Sequence, residues 1–298
     1  MTDSGDVKSI RNIGIFKRIS LYLGMIKFSH SVFALPFAFT SAFFAAKGIP
    51  SISQIFWIIV AMAGARSAAM GMNRVIDRKI DAKNPRTSGR EIPAGVIKVT
   101  DALIFILISI SAMVFAAYNL NPLCLKLSPL AVLVLFLYSY TKRFSYLSHI
   151  VLGIAVSGAP LGAWIAIKGS INIEILPMVI AVIAWLAGFD ILYALQDIEF
   201  DRNHGLHSIP QRFGIKTSLW LSRLFHLLTL GLLVITGLIF RSGIIYFSGM
   251  VLVGLLLLYE HALVKEDDLS KLDMAFFNMN GYISMAVFVF TFIDLVLV

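Results

Sequence analysis

The sequence predicts an all-α, multi-span membrane helix bundle, and three observations carry that prediction. Hydrophobic residues fill 58% of the 298 positions and charged residues only 14%, against roughly 45–50% and about 25% in soluble domains. The apolar residues fall in runs long enough to cross a bilayer, which takes about 20 residues as a helix. The basic residues gather between those runs, on alternate sides. Two soluble cores could not bury so much apolar surface, and the mean hydropathy is +0.86. An ordinary water-soluble enzyme and a disordered chain are excluded. So is a disulfide scaffold, because Cys124 is the single cysteine.

Nine runs are predicted as transmembrane helices, at about 19–46, 52–76, 101–119, 122–140, 147–168, 174–199, 217–240, 243–264 and 274–297. Together they form one transmembrane domain over 1–298, preceded by a cytoplasmic tail at 1–18. The first run is too long for a signal-peptide core and no small-residue cleavage pattern follows it. It is interrupted by Lys27, Ser29 and His30, polar enough to line a cavity. The second run carries Arg66, and an arginine inside a span is a functional candidate by default. The fourth ends in Tyr138-Ser-Tyr-Thr-Lys142-Arg143.

The charge balance orients the bundle. Four basic residues lie in the tail, six in the 77–100 loop, and the rest of one set at Lys142, Arg143, Arg202, Arg212, Lys216, Lys265 and Lys271. The opposite connections hold only Lys47, Lys168 and Arg241, with Lys126 if its span begins late. Basic residues stay on the cytoplasmic side, so the N-terminus is inside and the C-terminus outside, as an odd span count requires. The formal charge of +8 is therefore an orientation signal, and no nucleic-acid partner is expected.

Two cytoplasmic connections are long, at about 77–100 and 200–216, and contain turn residues such as Asn84-Pro85, Pro93-Ala94-Gly95 and His204-Gly205. A polar stripe precedes each. Asn73, Asp77 and Asp81 step by four along one helix face. Asp190, Tyr193, Asp197 and Asp201, at offsets 0, 3, 7 and 11, return to nearly one angle on a helix. Carboxylates four apart repel, and near hydrocarbon they lose hydration. A hard divalent cation would offset both effects, and magnesium is commonly held by one or two carboxylates plus substrate phosphates. The plainer account is a pair of solvated helix ends neutralised by Arg74, Arg78, Lys79 and Arg202. Repetition of the stripe about 120 residues apart favours the metal and indicates a pseudo-repeat. Arg86 and Arg90 in the first long loop are suited to clamping phosphate oxygens. No Walker loop, GxGxxG fingerprint or His-Glu-x-x-His motif occurs, and the six histidines do not pair at ligand spacing.

At these residues the chain resembles the UbiA superfamily of intramembrane aromatic prenyltransferases. Asn73-xxx-Asp77-xxx-Asp81 is similar to the family's first motif and Asp190-xx-Tyr193-xxx-Asp197-xxx-Asp201 to its second. Arg86 to Gly95 resembles its first cytoplasmic loop, and Tyr138 to Arg143, with Gly153 and Gly158, its fourth-to-fifth connection. Within the superfamily the likeness is to the 4-hydroxybenzoate polyprenyltransferases of ubiquinone synthesis. A related futalosine-route menaquinone branch is similar over Ser29–Phe39 and Gly64–Gly95. Two departures stand out: Met25-Ile-Lys27-Phe-Ser-His30 replaces a frequent Arg-x-Asp-Lys-Pro pattern, and Gly205-Leu-His207-Ser208 lacks a common lysine.

The resemblance implies transfer of a polyprenyl group from its diphosphate to an aromatic acid, in a bacterial-type plasma membrane and with the active site on the cytoplasmic side. It implies two magnesium ions held by Asp77, Asp81, Asp197 and Asp201, supported by Asn73 and Asp190. Arg66, Lys142 and Arg143, with Arg86, Arg90 and Tyr193, would bind diphosphate or acceptor. The acceptor is 4-hydroxybenzoate-like or, for menaquinone, naphthoate-like. Two other classes stay open on the residues alone. An ion-coupled transporter also uses intramembrane acids, although here the acids sit at helix ends with no Gly/Pro-broken helix evident beside them. A structural subunit with lipid-binding loops leaves both acidic stripes unexplained.

Overall fold

A computed structural model describes residues 15–26 and 33–297, and among them every regular element is helical. The chain begins with α1 (Ile15–Met25) and α2 (Ala34–Ala46). The run predicted at 19–46 is therefore not one helix: α1 ends at Met25, and Lys27, Ser29 and His30 lie outside the described residues. Helix α2 stops where Lys47 turns left-handed (φ 53°) and returns its N–H to the Phe43 and Phe44 carbonyls.

Helix α3 (Ile52–Asp81) opens on a reciprocal cap, with the Ser51 side chain accepting the Gln54 N–H while Gln54 accepts the Ser51 N–H. It runs 30 residues, further than the predicted 52–76, and so carries Asn73, Asp77 and Asp81 on one continuous helical face. Helices α4 (Val99–Leu120) and α5 (Pro122–Thr141) meet at Asn121, whose Oδ1 accepts the Leu123 and Cys124 N–H groups at 3.0 Å. α6 (Ser148–Lys168) and α7 (Leu176–Ala194) follow.

The second acidic stripe is not on one helix, which corrects the expectation. Helix α7 ends at Ala194, a tighter turn occupies Leu195–Asp197, and the short α8 (Ile198–Asn203) continues the chain. Neither glycine nor proline marks this break, which falls beside Asp197. α9 (Ile209–Ile239) is kinked at Gly214, whose φ of 79° belongs to the left-handed region. α10 (Ile244–Leu263), a wide turn at Met274–Met279 and α11 (Asn280–Val296) complete the chain.

Among the described residues seven helices are long and apolar enough to cross a membrane: α3, α4, α5, α6, the stretch Ile173–Asn203, α9 and α10. The remaining two predicted runs correspond to the shorter apolar helices α2 and α11. Pairwise packing passes from α2 to α6, α7, α9, α10 and α11 and back to α2, while α3, α4 and α5 join through α6. α7 is buried nearly all round, with Met178, Val182 and Trp185 at 0% exposure among Phe37, Tyr246 and Val287 of its neighbours. Close approach needs glycine at Gly153, where a Cβ would meet the Ile183 carbonyl oxygen at 2.6 Å. The outward faces are apolar: Leu107, Leu227 and Leu258 are each at least 65% exposed. Large aliphatic side chains displayed on helix after helix suit a lipid solvent. The chain is an integral membrane protein.

Candidate functional site

The end of α3 and the α7–α8 junction face one another across a polar cavity of about 220 Å³. That is below the roughly 300–1,000 Å³ of drug-sized ligand pockets, so it suits a compact charged group rather than a whole lipid. The cavity brings together Asn73, Asp77, Asp81, Arg86, Arg90, Lys142, Arg143, Asp190, Tyr193 and Asp197, all sequence candidates. Arg66 and Asp201 do not line it.

Four aspartates each meet one basic side chain. Arg143 Nη2 donates to Asp77 Oδ1 at 2.9 Å, and Asn73 Nδ2 donates to Oδ2 of the same carboxylate at 2.9 Å. Arg90 Nη1 reaches both Asp81 oxygens at 2.7 Å. Arg86 donates Nε to Asp197 Oδ1 at 3.2 Å and Nη2 to Oδ2, while Asn84 Nδ2 adds a bond to Oδ1 at 3.1 Å. Lys142 Nζ lies 2.9 Å from Asp201 Oδ1. That approach is off the hydrogen-bonding direction, so both oxygens of this fully buried carboxylate lack a directional donor.

These partners differ from the cations nearest in sequence. Arg74 instead donates Nε to the Met25 carbonyl at 3.2 Å, and Arg78 caps the Val75 carbonyl at 2.7 Å. The true partners come from the first long loop and from the α5–α6 connection. Both are packed segments. Ile92 and Ile97 are buried against Met25 and Ile26, and the His207 N–H is bound to the Lys142 carbonyl at 2.8 Å. Burial opposes the charge on Arg86, but its hydrogen bonds and attraction to Asp197, with Tyr193 and Asp81 adding, raise its pKa above the ordinary guanidinium value. Arg86 Nη1 also donates to Tyr193 Oη at 3.0 Å.

Arg66 sits two turns deeper than Asn73 on the same helix, and its Nε is buried with no hydrogen-bond partner. Sequence reasoning missed His149. Its Nδ1 lies 2.6 Å from Asp190 Oδ2, although the two residues are 41 positions apart. A second histidine contact is likewise invisible to spacing along the chain: His226 Nδ1 and His261 Nε2 are 2.9 Å apart. Both contacts join different helices, which spacing along one helix does not register. Among the described residues no three acidic, histidine or cysteine side chains converge on a common point. The donor set is hard oxygen, arranged in pairs with cations rather than as a preassembled cage.

The sequence pattern of the UbiA prenyltransferase family matches residues 34–282. The chain is 30% identical over 253 residues to a 4-hydroxybenzoate octaprenyltransferase of Vibrio atlanticus, covering 85% of this chain and 88% of that one. It is 30% identical over 247 residues to the Vibrio cholerae enzyme of the same name, covering 82% and 85%. A UbiA homolog from Aeropyrum pernix superposes with a TM-score of 0.81 at 30% identity, over 89% of this chain and 98% of the other. A homolog from Archaeoglobus fulgidus, solved with DMAPP and Mg2+, shares the fold at a TM-score of 0.67 and 20% identity, over 92% and 98%. The chain belongs to the UbiA prenyltransferase family.

Proposed function

We propose that this prenyltransferase moves a polyprenyl group from polyprenyl diphosphate onto the ring of an aromatic acid of the 4-hydroxybenzoate kind, for quinone synthesis. The observation that carries the reading is the set of aspartate–cation pairs at one polar cavity: three line it whole, and the fourth reaches it through Lys142, with Asp201 buried behind. A diphosphate could take over the four cations as the carboxylates turn to a metal. Family membership sets aside the transporter reading.

The residues fit magnesium, which takes oxygen ligands and is usually held by one or two carboxylates plus substrate phosphates. The fully buried Asp201 oxygens have the Lys142 ion pair but no directional donor, which leaves them acceptor capacity for a metal. Asp77, Asp81, Asp197 and Asp201 would hold two ions, with Asn73 and Asp190 in support. Bound magnesium supplies charge stabilisation to the leaving diphosphate as the allylic C–O bond breaks.

The chain's own side chains do the rest. Arg86, Arg90, Lys142 and Arg143 bind phosphate oxygens, with the guanidinium forks fixing orientation. Arg66, a partly buried cation with a buried, unpaired Nε, receives the acceptor carboxylate deeper in the bundle. Tyr138 and Tyr193 wall the cavity, keeping water from the allylic cation and offering ring faces to its charge. The allylic carbon bonds to a ring carbon, that carbon's proton passes to an oxygen of the released pyrophosphate, and the aromatic product leaves with it.

Helix α2, at 13 residues about 20 Å long, falls short of a hydrocarbon core of about 30 Å. α2 belongs to the first of nine spans and α11 forms the ninth, with the acidic motifs as pseudo-repeats. The N-terminus and the cavity then face the cytoplasm of a bacterial-type plasma membrane and the C-terminus lies outside.

Purified protein with magnesium, a polyprenyl diphosphate and 4-hydroxybenzoate should release pyrophosphate, and Asp77→Ala or Asp197→Ala should abolish release. Unaltered turnover in both variants would sink the metal assignment. Turnover with a naphthoate-type acid in place of 4-hydroxybenzoate would assign the acceptor to menaquinone synthesis.

A further inference from the structure

His149 opens α6 one residue after Ser148, close to the Lys142-Arg143 pair, and is 2% exposed. Its two ring nitrogens face different elements. Nε2 accepts the backbone N–H of Ile209 at 3.3 Å. Ile209 is the first residue of α9, so its N–H is one of the donors a helix start leaves without an intrahelical acceptor. Nδ1 lies 2.6 Å from Asp190 Oδ2 on α7. A ring nitrogen that accepts an N–H carries no proton, so the proton of the neutral ring resides on Nδ1 and is donated to Asp190.

We infer that His149 is a positioning residue: the Ile209 N–H locks it as the Nδ1–H tautomer, and it holds Asp190 with one carboxylate oxygen bound and the other presented to the cavity. The inference deepens the proposed function and rests on that cavity being the transfer site. A carboxylate free to spin about its last torsion could offer either oxygen or both. One oxygen fixed by a buried donor leaves a single defined acceptor, the arrangement by which outer partners orient ligating groups. The histidine also links the three elements α6, α7 and α9 at the level of the site.

Two amide substitutions separate the two ring contacts. In His149→Asn the side-chain amide nitrogen stands near the Nδ1 position, keeping a donor for Asp190 and losing the acceptor for Ile209. In His149→Gln the amide oxygen reaches the Nε2 position, keeping the acceptor and losing the Asp190 donor. Pyrophosphate release should fall about 10–100-fold in His149→Gln, as in Asp190→Asn. The double variant should fall no further, and His149→Asn should retain the larger share of kcat. The reverse order, with His149→Gln active and His149→Asn impaired, would show that His149 only anchors α9 and would overturn the inference, as would additive losses in the double variant.

A readout independent of turnover is ¹⁵N-histidine NMR of the purified protein. The signal that disappears in His149→Gln should be an Nδ1–H tautomer and should shift in Asp190→Asn. An Nε2–H tautomer, or indifference to Asp190→Asn, overturns the inference. If the wild-type protein releases no pyrophosphate with any aromatic acid, the proposed function fails while the NMR result still decides the role of His149.

Discussion

Arg86 and Asp197, 111 residues apart, are joined by two nitrogens of one guanidinium on the two oxygens of one carboxylate. The pair ties the first long loop to the break after α7, so the two acidic segments are held at fixed separation by the loop that follows the first. The Arg86 side chain is 31% exposed and that of Asp197 9%, so screening tempers the pair without cancelling it. A hydrogen bond to a charged group contributes about 1.5–3 kcal/mol. Arg86→Ala should therefore lower pyrophosphate release roughly 10–100-fold. Arg86→Lys, which keeps the charge but not the fork, should recover only part of it. Full recovery by lysine would show that geometry is irrelevant there.

The same pair yields a pH expectation. The Arg86 pKa is raised in the folded protein, so its contribution is fully present below the unfolded arginine value and lost only above it. The Tm difference between wild type and Arg86→Ala should stay constant from about pH 7 to 10, since arginine remains charged there. A difference that shrinks across that range, measured by thermal unfolding in detergent, would contradict the assignment.

Asp201 sets function against stability. It is fully buried, its oxygens lack directional donors, and its cation Lys142 is 38% exposed and can turn to water. Removing the charge relieves desolvation without stranding the lysine. Asp201→Asn should raise stability by about 1 kcal/mol, seen as roughly 2–4 °C in Tm. It should at the same time cut magnesium-dependent turnover roughly a hundredfold or more. A variant both less stable and fully active would assign Asp201 to the fold alone.

The contrast between the two acidic segments shows what a sequence discloses. Asn73, Asp77 and Asp81 were legible because a four-residue step in an apolar background lies on one continuous helix, α3. The second segment yielded its residues but not its shape, since Leu195–Asp197 tightens into a different turn with no glycine or proline to announce it. The cations Arg86, Arg90, Lys142 and Arg143 were legible as candidates, but which acid each one meets was not, because these pairs are set by burial and loop packing between segments and not by spacing along one element. His149 was illegible for the same reason: its value comes from α7 and from the start of α9.

Metal removal should leave the fold intact. Each of the four aspartates already has a basic partner, and no three ligands converge among the described residues. Chelation of the purified protein should change Tm little, and magnesium alone should raise it little. Magnesium with a prenyl diphosphate at about 100 times its Kd should stabilise by about 2.7 kcal/mol. A large shift with the metal alone would indicate a preassembled cage and refute the exchange of cation partners proposed for diphosphate binding.

The spacing of α6 and α7 sets the His149–Asp190 distance, and Gly153 sets that spacing. A Cβ there would lie 2.6 Å from the Ile183 carbonyl oxygen and 3.1 Å from its Cα, both backbone atoms that cannot rotate away. Gly153→Ala must therefore push the helices apart, and overpacking of this kind costs about 1–3 kcal/mol. Gly158 has nothing within 4 Å of its added Cβ, so Gly158→Ala is the control on the same helix and should leave Tm nearly unchanged. Gly153→Ala should lower Tm and, in the folded fraction, lower kcat by moving one helix start one turn away, with no side chain of the site altered. Equal Tm values and equal kcat in the two variants would show that α6 and α7 tolerate separation and that the site is held by its loops alone.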